Sequence, residues 1–152
     1  MPEQETSKRA RADERRGKAA STQAGEFVRE EFHHIREGKH GARSTRQAIA
    51  IGLSKARRAG VKLPPPAAGK TSMSVRRHAE RDYERGQTGE GRQQPSRRRS
   101  RAVLGALKRE GRGAASPRAI GQQVRTAARR RSPSARAGSA RKAVETKRRE
   151  RR

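Results

Sequence analysis

The sequence predicts a mostly α-helical chain of short helical hairpins with long disordered basic segments and no large single core. Leu, Ile, Val and Phe together make up only 16 of the 152 residues, and the formal net charge is +26. Such high charge with so few large apolar residues is typical of chains that remain largely disordered. Alanine accounts for 24 of the hydrophobic residues, and it favours helix while burying little area.

The chain begins with a polar stretch, residues 1–23, for which the sequence predicts a disordered N-terminus. The first helix is predicted directly after it, because Val28, Phe32 and Ile35 recur at helical spacing. Gly38 follows the last apolar position and is expected to end this helix as a C-terminal cap.

A second helix is predicted to begin after Ser44, which forms a capping box with Gln47. Leu53 belongs to its apolar stripe, and Gly60 is expected to end it. The two helices and their short turn therefore predict an αα-hairpin over residues 24–60.

The rest of the chain divides by composition into four segments. They are a Pro-rich linker (61–73), a short helix with a Gly/Gln-rich linker (74–95), a second basic helical hairpin (96–131) and a basic tail (132–152).

The second hairpin is predicted from a near-repeat of the first turn. REGKHGARSTRQAI at 36–49 and REGRGAASPRAI at 109–120 share a Gly that stops one helix and a Ser that caps the next. In the second copy Ser116 precedes Pro117, a residue favoured at the first helical position. The repeated turn indicates two degenerate copies of one hairpin.

The basic block at 96–152 indicates the partner. It contains 20 basic and three acidic residues, so it repels itself unless a polyanion neutralises it. Arginine dominates, which suits bidentate contacts with phosphate. We therefore expect low-specificity binding to nucleic acid, duplex DNA above all, by a histone-like or nucleoid-associated protein.

The cations expected to contact phosphate lie near predicted helix ends and in the basic block. They are Lys55, Arg57, Arg58, Arg97, Arg98, Arg99, Arg101, Arg129, Arg130, Arg131, Arg141, Lys142, Lys147, Arg148 and Arg149.

Three other functions stay open on the sequence alone. A sequence-specific helix-turn-helix reader would place Arg43, Arg46 and Gln47 at the start of its recognition helix. An RNA- or ribosome-associated protein would use the same positive charges. A protein-interaction module would bind a partner, or a second copy of itself, through the hairpin at 24–60.

The sequence predicts no enzyme, no cofactor and no metal site. Cysteine is absent, which excludes disulfides and zinc sites with thiolate ligands. Glu30, His33, His34 and His40 lie close together but lack the His-Glu-x-x-His order, so we expect solvated histidines. No Ser, His and acid set has the spacing of a nucleophilic triad, and so thin a core would hold a site poorly.

Residues 32–60, FHHIREGKHGARSTRQAIAIGLSKARRAG, resemble a family of small basic bacterial proteins known only as a domain of unknown function. The shared features are a Phe- and His-containing helix, a Gly-Lys turn and a Gln-Ala-Ile-Ala-Ile helix. Gly52 stands where that family has Ala, a change that weakens a helix by up to about 1 kcal/mol. The resemblance implies a helical hairpin of bacterial origin and no particular activity. The Arg/Ala/Ser-rich end is weakly similar to the tails of bacterial histone-like proteins.

The expected location is the bacterial cytoplasm, at the nucleoid. The N-terminal residues lack the apolar stretch of a secretory signal. No run approaches the roughly 18 apolar residues of a membrane span, so no membrane partner is expected.

Overall fold

The computed structural model describes residues 3–89 and 96–150, and every regular element in these ranges is helical. The predicted helical class is therefore confirmed. Within these ranges the elements are α1 (Gln4–Arg15), α2 (Ala20–Arg36), α3 (Thr45–Arg58), α4 (Met73–Gln87), α5 (Arg97–Lys108), a 3-10 turn (Gly113–Ala115), α6 (Pro117–Arg129) and α7 (Pro133–Glu150). The chain forms two compact units, one up to Ser116 and the other from Pro117.

Local signals in the sequence set the ends of α2 and α3 as expected. Gly38 and Gly60 have φ of 77° and 95°, the left-handed conformation that glycine adopts most readily. Ser44 Oγ accepts a hydrogen bond from the backbone N–H of Gln47 at 3.2 Å. Gln47 Oε1 accepts in return from the backbone N–H of Arg43 at 2.7 Å, one residue before the Ser44 N–H that a capping box would use.

The first unit has two small apolar clusters, both made largely of alanine. The first cluster joins α1, α2, α3 and the segment after α3 through Ala10, Ala24, Phe27, Ala56 and Val61. The second cluster joins α2 and α3 to the 3-10 turn through Ile35, Ala42, Ala48, Ala114 and Ala115. Small side chains bring helix backbones close together while burying little area per residue.

The buried face of α3 differs from the predicted stripe. Ala48, Gly52 and Ala56 are buried, whereas Leu53 is only partly buried against the first cluster. A Cβ at position 52 would lie 2.7 Å from the Cα of Val28 on α2. Glycine at this position is therefore what allows α2 and α3 to pack this closely, and its helix-weakening effect is secondary.

We expect Gly52→Ala to destabilise the protein by about 1–3 kcal/mol, although alanine is the better helix former, because the added methyl meets the α2 backbone. Gly25→Ala is the matched control, because a Cβ at that position on α2 meets nothing within 4 Å. It should be neutral or stabilise by up to about 1 kcal/mol. Urea unfolding followed by circular dichroism measures both, and equal stabilities of the two variants would contradict the close contact.

The N-terminal segment is helical, where the sequence predicts disorder. Thr6 and Ala10 on α1 are 0% and 4% exposed, and Arg9 Nε donates to Glu26 Oε2 on α2 at 2.9 Å. The buried residues of α1 are Thr6, Ala10 and Asp13, so the helix lacks the large apolar period by which a buried helix is recognised.

The predicted second hairpin, residues 96–131, is divided between the two units. The boundary between the units falls after Ser116, so α5 and α6 belong to different units. The turn after α5 packs instead on the first hairpin. Gly41 N–H donates to the carbonyl of Leu107 at 2.9 Å, and Ala42 N–H donates to that of Gly111 at 3.1 Å. A Cβ at Gly41 would overlap the carbonyl of Glu110.

The two near-repeated turns are therefore in contact with each other. Thr45 Oγ1 donates to the carbonyl of Ala114 at 2.8 Å, and Arg36 Nε donates to the carbonyl of Ala115 at 3.0 Å. We call this contact the turn–turn contact. It closes the second apolar cluster.

The long disordered basic segments of the predicted fold class are not seen in the described residues. Helices α6 and α7 each begin at a proline that follows a serine, and Ser132 Oγ accepts from the backbone N–H of Ala135 at 3.2 Å. Alanine and arginine are both strong helix formers, so a basic segment of this composition has local reasons to be helical.

Candidate functional site

The C-terminal helices present their cations to solvent. In the first unit, α5 carries four exposed arginines, which are Arg97, Arg98, Arg99 and Arg101. In the second unit the predicted cations on or next to α6 and α7 are all exposed, namely Arg129, Arg130, Arg131, Arg141, Lys142, Lys147, Arg148 and Arg149. Twelve of the fifteen predicted contacts therefore have exposed side chains on or next to these helices.

Few carboxylates accompany the cations of the second unit. The sequence from 117 to 152 has 13 basic residues and two acidic ones. Arg149 is 2.9 Å from Glu145 in an exposed ion pair, and Arg131 donates to Ser139 Oγ at 3.3 Å. Exposed ion pairs of this kind contribute little to stability. The second unit thus has a large excess of positive charge.

Arg57 does not lie on a phosphate-binding surface, although the sequence suggests it. It is 7% exposed, its Nε donates to the carbonyl of Leu63 at 3.1 Å and an Nη donates to that of Pro64 at 3.3 Å. Burial lowers the pKa of its guanidinium. Arg57 therefore fastens the Pro-rich segment to α3. Arg58 is more exposed and lies 3.8 Å from Asp82 of α4.

Lys55 also has an internal role. Its ammonium lies 2.7 Å from Glu31 Oε2 and 3.4 Å from Glu30 Oε1, and its side chain is 15% exposed. Glu30 also accepts a hydrogen bond from the backbone N–H of Glu3 at 3.1 Å. Lys55 lies at the predicted helix end, yet burial between two carboxylates removes it from the candidate interface.

Glu31 is the most deeply buried charged group of the described chain, with a fully buried side chain. Both its oxygens have a cationic or imidazole neighbour, since Lys55 approaches Oε2 and His40 Nε2 lies 3.3 Å from Oε1. Neither oxygen receives a hydrogen bond of good geometry within the described structure. Such a group is costly to bury, so its surroundings matter for stability.

Two histidines beside Glu31 are not solvated as expected. The side chains of His34 and His40 are 13% and 9% exposed, whereas His33 is exposed. His34 Nε2 lies 3.0 Å from Glu3 Oε1, and this hydrogen bond is the main cause that lowers the pKa of the Glu3 carboxyl. The ligand atoms of Glu31, His34 and His40 all lie within 4.8 Å of one another.

The start of α3, where a helix-turn-helix reader would make base contacts, is used for capping. The side-chain oxygen of Gln47 is taken by the backbone N–H of Arg43. Arg46 is exposed. This geometry leaves fewer free groups for reading bases than the sequence suggests.

Comparison with known proteins gives one family. Residues 15–67 match a family of unknown function, DUF6496. This range contains α2, α3 and the Pro-rich segment fastened by Arg57, and it includes the resemblance at 32–60. No curated protein and no solved structure matches the chain. In the described part of the chain, no helix has the length and apolar character needed to span a membrane.

Proposed function

We propose that the protein binds duplex DNA with low sequence specificity, through contacts of Arg and Lys with phosphates, as a nucleoid-associated protein. The observation that carries this proposal is the exposed, poorly neutralised set of cations on α6 and α7. A duplex carries one phosphate charge per about 1.7 Å of helix axis, and binding releases condensed counterions.

Stability of the helices alone does not account for these cations. A cation in the last turn of a helix interacts favourably with the helix dipole, by about 0.3–1 kcal/mol. That effect explains one or two of Arg129, Arg130 and Arg131, which follow one another directly. It does not explain the further exposed cations along α7. A polyanionic partner accounts for all of them.

Several features favour backbone contacts over base reading. Phe27 is 1% exposed, and Phe32 packs on the second apolar cluster, so neither is a platform for stacking bases. The exposed basic helices carry mainly Arg, Lys and Ala. Phosphate contacts position a protein on a duplex without carrying sequence information.

We expect random DNA duplexes of equal length to bind with affinities within tenfold of one another, because phosphates are common to all sequences. The measurement is fluorescence anisotropy on a set of duplexes, followed by selection of bound sequences from a randomised pool. Recovery of a consensus motif, or a duplex preferred by roughly 10³-fold, would contradict the proposal in favour of a sequence-specific reader. Stronger binding to an RNA duplex of equal length would favour the RNA-associated alternative.

A further inference from the structure

The geometry points to a binding site for one divalent transition cation, such as Zn²⁺, formed by Glu31, His34 and His40. Their ligand atoms lie within 4.8 Å of one another. Two imidazoles and one carboxylate are ligands that suit Zn²⁺, Co²⁺ or Ni²⁺. Mg²⁺ and Ca²⁺ prefer oxygen ligands alone.

The hydrogen bond of His40 to the backbone shows which ring nitrogen is available. Nδ1 lies 3.1 Å from the carbonyl oxygen of Gly41, and a carbonyl only accepts, so Nδ1 carries the proton. In its neutral form His40 then has an unprotonated Nε2, which lies 3.3 Å from Glu31 Oε1. Two acceptors at this distance repel each other unless a cation or a proton lies between them.

The distance between these two atoms also suits a metal. Zinc ligands lie at about 2.0–2.1 Å from the ion in a tetrahedral arrangement, which places two ligand atoms roughly 3.3 Å apart. Nε2 of His40 and Oε1 of Glu31 already have this separation. Their separation therefore needs no change for both atoms to bind one ion.

The charges around the site favour the binding of a further cation. Glu30 and Glu31 are both buried, and Lys55 lies between them. With neutral histidines, two buried carboxylates face one ammonium. Lys55 approaches Oε2 of Glu31 and leaves Oε1 to the histidine side. A divalent ion would offset the remaining negative charge, which is costly to bury alone.

His34 has the outer contact that metal-bound imidazoles usually have. Its Nε2 lies 3.0 Å from Glu3 Oε1, and a carboxylate in this position fixes the orientation of the ring. The other ring nitrogen, Nδ1, is then the ligand atom. Three protein ligands leave a fourth position for water.

Occupancy of this site would tie α2 to the turn that contains His40. The next residues of that turn, Gly41 and Ala42, make the turn–turn contact. A bound ion would therefore stabilise the first unit, and it would do so independently of DNA binding.

The test uses the full, tag-free chain, stripped of metal with a chelator and then titrated with Zn²⁺. We expect one equivalent to bind with a dissociation constant in the micromolar range or below and to raise the melting temperature. Imidazole ¹⁵N NMR of the wild-type chain should show shifts at His34 and His40. His33 and His78, which are both exposed, should not shift.

Histidine variants distinguish Zn²⁺ binding at this site from Zn²⁺ binding to exposed histidines. His34→Ala and His40→Ala should each weaken Zn²⁺ binding at least tenfold, whereas His33→Ala and His78→Ala should stay within twofold of wild type. Binding of Co²⁺ should produce the visible absorption of a tetrahedral ion, and Mg²⁺ should not compete. Absence of a tight equivalent, or shifts spread over all four histidines, would overturn the proposal and leave Glu31 paired with a protonated His40.

Discussion

Replacing six exposed arginines of the second unit with glutamine is expected to weaken duplex DNA binding by at least about 10²-fold at 0.1 M salt. The six positions are Arg129, Arg130, Arg131, Arg141, Arg148 and Arg149. Each phosphate contact contributes about −0.9 to the slope of log K against log salt, so this slope should become shallower by up to about 5. Glutamine is about as good a helix former as arginine, so α6 and α7 should keep their helicity.

A second sextuple variant tests whether DNA binding depends on the surface of α6 and α7 or only on the total charge of the protein. Glutamine at Lys8, Arg11, Arg15, Arg16, Lys62 and Lys70 removes the same charge from exposed positions of the first unit. Its affinity and salt dependence should stay close to those of wild type. Equal losses in the two variants would mean that net charge alone drives binding and that α6 and α7 are no interface.

The Lys55→Met variant is expected to lose about 3–5 kcal/mol of unfolding free energy, because it leaves Glu31 and Glu30 buried without their shared cation. Duplex binding by the fraction that remains folded should change by less than twofold, since Lys55 is 15% exposed on its side chain. Urea unfolding in the presence of a chelator measures the stability, so that no bound ion replaces the lost charge.

Arg58→Met is the matched control for this loss. It also removes a cation from the last turn of α3, but its ion pair with Asp82 is long and more exposed, so the expected cost is at most about 1 kcal/mol. The double variant Lys55→Met, Glu31→Met should recover part of the stability, because it removes both charges together. Equal stabilities of Lys55→Met and Arg58→Met would show that the buried pair does not matter.

The predictable part of the fold depends on local signals. Gly38, Gly60, Ser44 and Pro117 act on backbone groups within one turn of themselves, so their effects can be predicted from neighbouring residues. The α1 helix and the turn–turn contact could not be predicted, because alanines, threonines and backbone carbonyls form them. Such groups give no apolar period, and their partners are distant in the sequence.

The candidate site likewise has a part that could be predicted from the sequence and a part that could not. Exposed arginines on α6 and α7 could be predicted because a block with so few acids has few internal partners for its charge. Lys55 and Arg57 have the same residue types and helix-end positions, but distant carboxylates and carbonyls surround them. The sequence does not indicate that Glu31 is a buried neighbour of His34 and His40, although Glu31 and His34 stand three apart on one helix. That spacing was the available signal, and burial was the missing information.

The turn–turn contact also sets an order of events during protein synthesis. Thr45 leaves the ribosome 69 residues before Ala114, whose carbonyl it binds. At about 5–20 residues per second, that interval lasts roughly 3–14 s. Until then the nascent first hairpin lacks the two alanines that close its second apolar cluster over Ile35 and Ala48. The translation rate therefore determines how long Ile35 and Ala48 of the nascent chain remain uncovered. The first unit is completed only after the second turn has been synthesised.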